Sequence, residues 1–173
     1  MDIKPFDIVL FNTNTPLGYL QRFVYKLKGH PSNITHVAIM YSKSLIFEAH
    51  THLRFYPLSK YNPDNIAIIR VKPCDQIDVN AFHQLCESLY GLEYDYVQLI
   101  DDLLYMVTDD PRGNSRKFVC SELVAYLIYK MCGLKQLNYL FNLNDYRVVM
   151  PYHFSTIDKS KIEIIYEGKN FKW

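Results

Sequence analysis

The stretch from Phe118 to Cys132, FVCSELVAYLIYKMC, carries the most regular helical pattern in the chain. From Cys120 onward its apolar residues recur at spacings of three and four as far as Met131, and Gly133 then provides a stop signal. Because this is one continuous apolar face, we predict that the helix is central and that the rest of the chain packs around it.

Strand signals lie on both sides of this helix. Asp7 to Phe11 is a short apolar run typical of a buried strand, and Lys161 to Tyr166 alternates as a last strand does. Four further runs, rich in β-branched and aromatic residues and separated by short polar breaks, predict an antiparallel meander. These runs are Thr35 to Tyr41, Leu45 to Ala49, Leu53 to Leu58 and Ile66 to Val71.

Further helices are predicted from their capping residues and apolar spacing. Thr15 offers an N-cap oxygen, Pro16 suits the first helical position, and Gly29 suits the end of this first helix. Two more helices are expected over 78–90 and 95–107. The apolar residues at helical spacing in the first helix are Leu17, Leu20, Val24 and Leu27.

These elements predict an α+β fold, a small antiparallel β-sheet packed against helices with a central helix that bears Cys120. With 173 residues, 49% hydrophobic and 21% charged, the chain has the length and composition of a globular protein. It contains no internal repeat, low-complexity tract or linker-like segment, so residues 1–173 are predicted to form a single domain.

Charge and hydropathy argue against several classes of partner. The net charge is +1 and there is no basic run, which indicates no electrostatic footprint for nucleic acid or an anionic membrane. No apolar stretch approaches the roughly 20 residues of a transmembrane helix, and the first residues lack a signal-peptide core. The four cysteines form no C-x-x-C pair. We therefore expect a cytoplasmic protein with reduced thiols.

Cys120 has two interpretations. Since it continues the apolar face of its helix, it is in the first instance a small core hydrophobe. It also lies in the first turn of that helix, where unpaired backbone N–H groups and the helix dipole stabilise a thiolate. Cysteines in this position can be nucleophiles at neutral pH.

A cysteine nucleophile needs a base, and His36 with Glu48 is the candidate pair. If residues 42–44 form a three-residue hairpin loop, His36 and Glu48 are diagonal neighbours on one face of the sheet. A two-residue loop would instead place them on opposite faces. The pairing therefore depends on the register of one hairpin. His50 and His52 form an H-x-H pair without a third ligand at a telling spacing, so no metal or other cofactor is predicted.

Short blocks of the chain, taken in order, match a known pattern. His36 comes first, Glu48 second and Cys120 last, whereas ordinary papain-like chains begin with the cysteine helix. The pattern resembles the NlpC-type papain-like superfamily, and more narrowly its circularly permuted YiiX-like branch, which has bacterial and viral members. The blocks are Phe6 to Phe11, Thr35 to Ile39, Phe47 to Ala49 and Val119 to Val124, with a Gly-x-x-Tyr-Asp segment at Gly91 to Asp95.

The resemblance implies a permuted papain-like fold and a cysteine hydrolase of the amidase or peptidase type that works through an acyl-enzyme. Cys120 would be the nucleophile, His36 the general base and Glu48 the residue that orients the imidazole. Tyr94 is a candidate contact to the substrate or the oxyanion. The expected substrate contains an amide bond (peptide, isopeptide or lipid-linked). The alternatives are a non-catalytic binding or virion-structural module on the same fold, and a lipid acyltransferase.

The chain departs from the family pattern in two places. The family often has Gly before the Asp of its first block, where this chain has Phe6, and the difference concerns the turn. Residues 101–115 match nothing in the pattern and are a candidate lid or specificity loop.

Overall fold

Six antiparallel strands form a single sheet in the computed structural model, which describes residues 2–74, 76–93 and 119–173. The sheet and its helices confirm the predicted α+β class. The strands are β1 (Ile8–Phe11), β2 (His36–Met40), β3 (Leu45–Ala49), β4 (Leu53–Pro57), β5 (Ile66–Val71) and β6 (Ile162–Glu167). The helices of the described residues are α1 (Pro16–Leu27), α2 (Val79–Leu89), α3 (Cys120–Cys132) and α4 (Leu134–Phe141). The helix predicted over 95–107 lies outside the described residues.

The strand order is β4-β3-β2-β1-β5-β6, so the predicted meander is only partly right. Strands β2, β3 and β4 follow one another as expected, but β5 pairs with β1 and not with β4. The physical reason lies in β1, whose four residues are all buried. A fully buried strand needs hydrogen-bond partners along both edges, and β2 alone supplies only one.

Helix α3 is central, as its apolar pattern predicts. Eight of its residues are buried, and the helix contacts β2 and β3. It begins at Cys120, and Gly133 ends it with φ +86°, a left-handed conformation that favours glycine. Helix α4, which the sequence analysis did not predict, follows directly after this glycine. In the described parts of the chain, no helix combines the length and the apolar character that a bilayer crossing requires.

Helix α1 has the predicted ends but not the expected packing face. The Thr15 side chain accepts a hydrogen bond from the backbone N–H of Gly18, and Pro16 occupies the first helical position. Of the four apolar residues at helical spacing, only Val24 is buried. The residues that α1 buries are Gly18, Gln21, Val24 and Tyr25.

The expectation of four reduced thiols is wrong for two of the cysteines. Cys74, after β5, and Cys132, the last residue of α3, form a disulfide with their Cα atoms 5.9 Å apart. The pairing joins residues 58 positions apart, a distance in sequence that spacing alone does not disclose. Cys86 and Cys120 are free and buried.

The turn before β1 explains the departure at Phe6. Phe6 has φ +76°, a left-handed conformation that a glycine adopts without strain, and its ring packs edge-on against Phe82 at 5.2 Å between centroids. The turn directs Asp7 inward, where its carboxylate accepts hydrogen bonds of 2.8 and 2.9 Å from the Arg70 guanidinium. This buried ion pair fixes the start of the central strand against β5.

We expect Asp7→Asn to lower the free energy of unfolding by about 3 kcal/mol, because it leaves the Arg70 guanidinium without its buried counter-charge. Urea denaturation of the variant measures the loss. Asp2→Asn is the matched control, since Asp2 pairs with Lys4 at the surface and its removal should cost less than about 1 kcal/mol. Equal losses in the two variants would contradict the structural role assigned to Asp7.

Candidate active site

The register of the β2–β3 hairpin brings His36 to Glu48. Ile39 pairs with Phe47, so the connection is the three-residue loop 42–44 and the register prediction is confirmed. His36 Nε2 lies 2.9 Å from Glu48 Oε2. The two residues are therefore diagonal neighbours on one face of the sheet, in direct hydrogen-bond contact.

Glu48 is fully buried and its carboxylate is surrounded by donors. Besides the His36 contact, Oε2 accepts a 2.7 Å hydrogen bond from the Tyr61 hydroxyl, and Oε1 accepts bonds of 2.9 and 2.8 Å from Arg54. Burial opposes ionisation, but His36, Tyr61 and Arg54 outweigh it and lower the pKa of Glu48 to about 2. The carboxylate is thus a fixed negative charge at any physiological pH.

Cys120 is the first residue of α3 and is only 2% exposed. Burial opposes the thiolate, but the positive charge and hydrogen bond of His36 lower the pKa of Cys120 below its ordinary value. Backbone hydrogen bonds from Val37 and Ser121 act in the same direction. The Ser121 amide belongs to the first turn of the helix, where N–H groups have no partner within the helix.

His36 lies between the Cys120 thiol and the Glu48 carboxylate and interacts with both. Burial opposes its protonation, but the charge of Cys120 and the hydrogen bonds to Cys120 and Glu48 raise the pKa of His36 to about 10. Since Nε2 is engaged by Glu48, Nδ1 is the nitrogen left for Cys120. At neutral pH the favoured state is an imidazolium between a thiolate and a carboxylate.

An open pocket of about 360 Å³ gives access to this cluster. Its walls come from α1 and the loop before it, from the starts of β2 and α3, and from the end of β3. The lining residues are Thr13, Thr15, Leu17, Gln21, Thr35, His36, Ala49, His50, Tyr61 and Cys120. The Cys120 side chain therefore borders a cavity large enough for a small acyl or peptide group.

The three residues predicted for catalysis lie together, and two of their supports were not predicted. Arg54 and Tyr61 hold Glu48, and neither was identified from the sequence. Arg54 lies directly opposite Glu48 in the β3–β4 pairing. The same register rule, applied to the β3–β4 hairpin, places the opposite charge of Arg54 across from Glu48, and this pairing is a signal that the sequence contains. Tyr61, in the loop beyond β4, has no such signal. Tyr94 and residues 101–115 lie outside the described residues.

The two histidines of the H-x-H pair, His50 and His52, have different environments in the structure. His50 lines the pocket, whereas His52 hydrogen-bonds through Nδ1 to the Thr51 hydroxyl at 3.0 Å. Within residues 2–74, 76–93 and 119–173, no three His, Cys, Asp or Glu side chains form a group that could hold a metal ion.

Comparison with known proteins identifies a fold but no sequence family. No protein-family model matches the chain, and no curated protein matches it significantly in sequence. Among solved structures, the crystal structure of metalloprotein YiiX from Escherichia coli O157:H7 (DUF1105) is similar, with a TM-score of 0.64. It is 14% identical, and the match covers 96% of this chain and 98% of that one. The chain therefore has a YiiX-like fold.

We expect iodoacetamide to modify Cys120 at pH 6 roughly ten times faster or more in the wild type than in His36→Ala. Removal of His36 leaves the burial of Cys120 in place without its counter-charge, so the thiol pKa rises above its ordinary value. Peptide mass spectrometry from pH 5 to 10 follows the rate.

Cys86 serves as the internal control for this measurement. It is also buried and free, and burial raises the pKa of Cys86. It should remain unmodified in both proteins until they unfold. An unchanged pH profile of Cys120 in His36→Ala would show that the two side chains do not act as a pair.

Proposed function

We propose that the protein is a thiol hydrolase that cleaves an amide bond through an acyl-enzyme on Cys120. The observation that carries this proposal is the placement of Cys120 and His36 together in the wall of an open pocket, with His36 held by Glu48 and with the pKa of Cys120 lowered by His36. The free Cys86 is buried like Cys120, yet burial raises the pKa of Cys86. A lowered thiol pKa at a pocket is typical of a nucleophile and not of a core cysteine.

The chemistry follows from the charge states. The Cys120 sulfur attacks the carbonyl carbon and forms a C–S bond, while the carbonyl electron pair moves to oxygen. When the tetrahedral intermediate collapses, the C–N bond breaks and the imidazolium of His36 gives its proton to the departing amine. Water then attacks the thioester carbonyl and His36 takes its proton; the C–S bond breaks, the acid is released, and the thiolate–imidazolium pair is restored. Glu48 keeps the imidazole oriented throughout and stabilises its protonated form before the amine leaves and after water has attacked.

We assign two donors to the developing oxyanion. The Cys120 backbone N–H lies at the start of α3, where it has no acceptor within the helix. The other donor we assign is the side-chain amide of Gln21, which is buried at 2% exposure and lines the pocket. The hydroxyls of Thr35 and Tyr61 also line the pocket, but they donate to the Phe11 carbonyl and to Glu48.

We also propose that the chain is related to the permuted NlpC-type papain-like superfamily. The supporting features are the chain order of His36, Glu48 and Cys120 and the YiiX-like fold. YiiX is described as a metalloprotein, but the donor set here does not fit a metal ion. The Glu48 oxygens are occupied by Arg54, Tyr61 and His36, so among the described residues Cys120 has no open carboxylate beside it that could complete a metal site.

The test uses p-nitrophenyl acetate, an activated ester that acylates nucleophilic thiols. We expect a burst of p-nitrophenolate and one acetyl group on Cys120 after acid quenching, because the thiolate attacks and the thioester accumulates. Stopped-flow absorbance and peptide mapping measure the two events. Cys120→Ala should abolish both, whereas Cys86→Ala should retain both.

A wild type that forms no adduct, or a Cys120→Ala variant that forms the same adduct, would overturn the proposal. Either result would favour a non-catalytic binding or structural module on the same fold. An acyl-enzyme that passes its acyl chain from phosphatidylcholine to an added amine, and not to water, would identify a lipid acyltransferase.

We expect Gln21→Leu to lower kcat for the same ester about 10²-fold, with little change in KM, because an oxyanion donor acts mainly in the transition state. Steady-state kinetics measures both constants. Gln136→Leu, on α4, is the control and should leave kcat unchanged. A Gln21→Leu variant with normal kcat would show that the second donor is another group.

A further inference from the structure

Helix α1 turns its apolar side toward solvent. The residues that it buries include Gly18, Gln21 and Tyr25. On the opposite side, Leu20, Phe23 and Leu27 are 50%, 59% and 67% exposed. Their spacing of three and four residues places them in one row along the helix, which we call the outer stripe.

This orientation is the reverse of the usual one for a surface helix. Such helices direct their apolar row into the core and their polar residues outward. Tyr19, at 59% exposure, adjoins the outer stripe and widens it. A contiguous apolar surface of this kind marks a contact with another molecule.

The charged residues of α1 and of its C-cap are all positive. Lys26, in the last turn of α1, and Lys28, the C-cap residue, are exposed. Between Asp7 and Glu48 the sequence contains no acidic residue. Those two flanking acids are themselves buried and ion-paired, Asp7 with Arg70 and Glu48 with His36 and Arg54. Residues 8–47 therefore carry an excess of positive charge that the net charge of +1 of the whole chain does not reveal.

We propose that α1 docks on an anionic lipid surface. The outer stripe enters the boundary between headgroups and acyl chains, and Lys26 and Lys28 contact the anionic headgroups. An apolar row flanked by lysines on a helix is the arrangement that binds such an interface. A second copy of the chain is a poorer fit, because a two-fold contact between the outer stripes would offer Lys26 and Lys28 no acidic residue on the α1 helix that they meet.

The docked orientation has a consequence for the pocket. Leu17 and Gln21 belong to α1 and line the pocket that contains Cys120. A membrane against the outer stripe therefore lies beside the pocket and not on the far side of the molecule. The docking itself does not depend on the proposed thiol chemistry, since none of its contacts involves Cys120, His36 or Glu48.

The test is co-sedimentation with vesicles of phosphatidylcholine, with and without phosphatidylserine. We expect binding only to the vesicles that contain phosphatidylserine. Phe23→Ser combined with Leu27→Ser should weaken the partition coefficient at least tenfold, because the stripe loses its two most exposed side chains. Lys26→Glu combined with Lys28→Glu should weaken it by more than about fivefold for each lysine, since the charge is reversed and not merely removed.

Matched controls separate the outer stripe from exposed apolar surface in general. Leu134→Ser combined with Tyr139→Ser removes two residues of α4 that are each 47% exposed, and should leave binding unchanged. Cys120→Ala should also bind like the wild type, so failure of the chemistry and failure of the docking give different results. Far-ultraviolet circular dichroism confirms that each variant is folded.

Three results would overturn the docking proposal. One is a wild type that does not bind phosphatidylserine vesicles. Another is a Phe23→Ser, Leu27→Ser variant that binds as tightly as the wild type. The last is a concentration-dependent dimer that this variant abolishes, in the absence of vesicle binding, which would assign the outer stripe to a second copy.

Discussion

A carboxylate with no access to water lies between β3 and β4, and the surrounding groups are arranged to keep it charged. An uncompensated charge in this position would cost several kcal/mol, so Glu48 must have both counter-charge and hydrogen bonds. Arg54 and Tyr61 occupy the sides of the carboxylate that His36 leaves free. The Glu48 carboxylate helps to raise the pKa of His36, together with the larger effect of Cys120, and the charge of His36 in turn lowers the pKa of Cys120.

The parts of this arrangement that follow local rules could be predicted from the sequence. Capping residues and apolar spacing gave the limits of α1, α2 and α3 to within about two residues, because these signals act within one helical turn. The loop of three residues at 42–44 was sufficient to bring His36 to Glu48, since register in a hairpin is set by its turn. The order of the three candidate residues is likewise a property of the sequence.

The parts that depend on long-range packing could not be predicted. Nothing local indicates that β5 passes to the far side of β1, or that Cys74 meets Cys132 across 58 positions. Helix α1 shows a different limit. Its apolar spacing identifies a row of residues correctly, but spacing does not say whether that row faces the core or the solvent.

The order of the site along the chain also has a consequence for biosynthesis. His36, Glu48 and both residues that hold the Glu48 carboxylate lie before residue 62, whereas the candidate nucleophile comes at position 120. At roughly 5–20 residues per second, the ribosome adds Cys120 about 4–17 seconds after His36. A nascent chain therefore carries an incomplete site for several seconds, and it acquires Cys120 only when most of the sheet has already been synthesised. Until then His36 and Glu48 are present on the ribosome-bound chain without the thiol that completes the cluster.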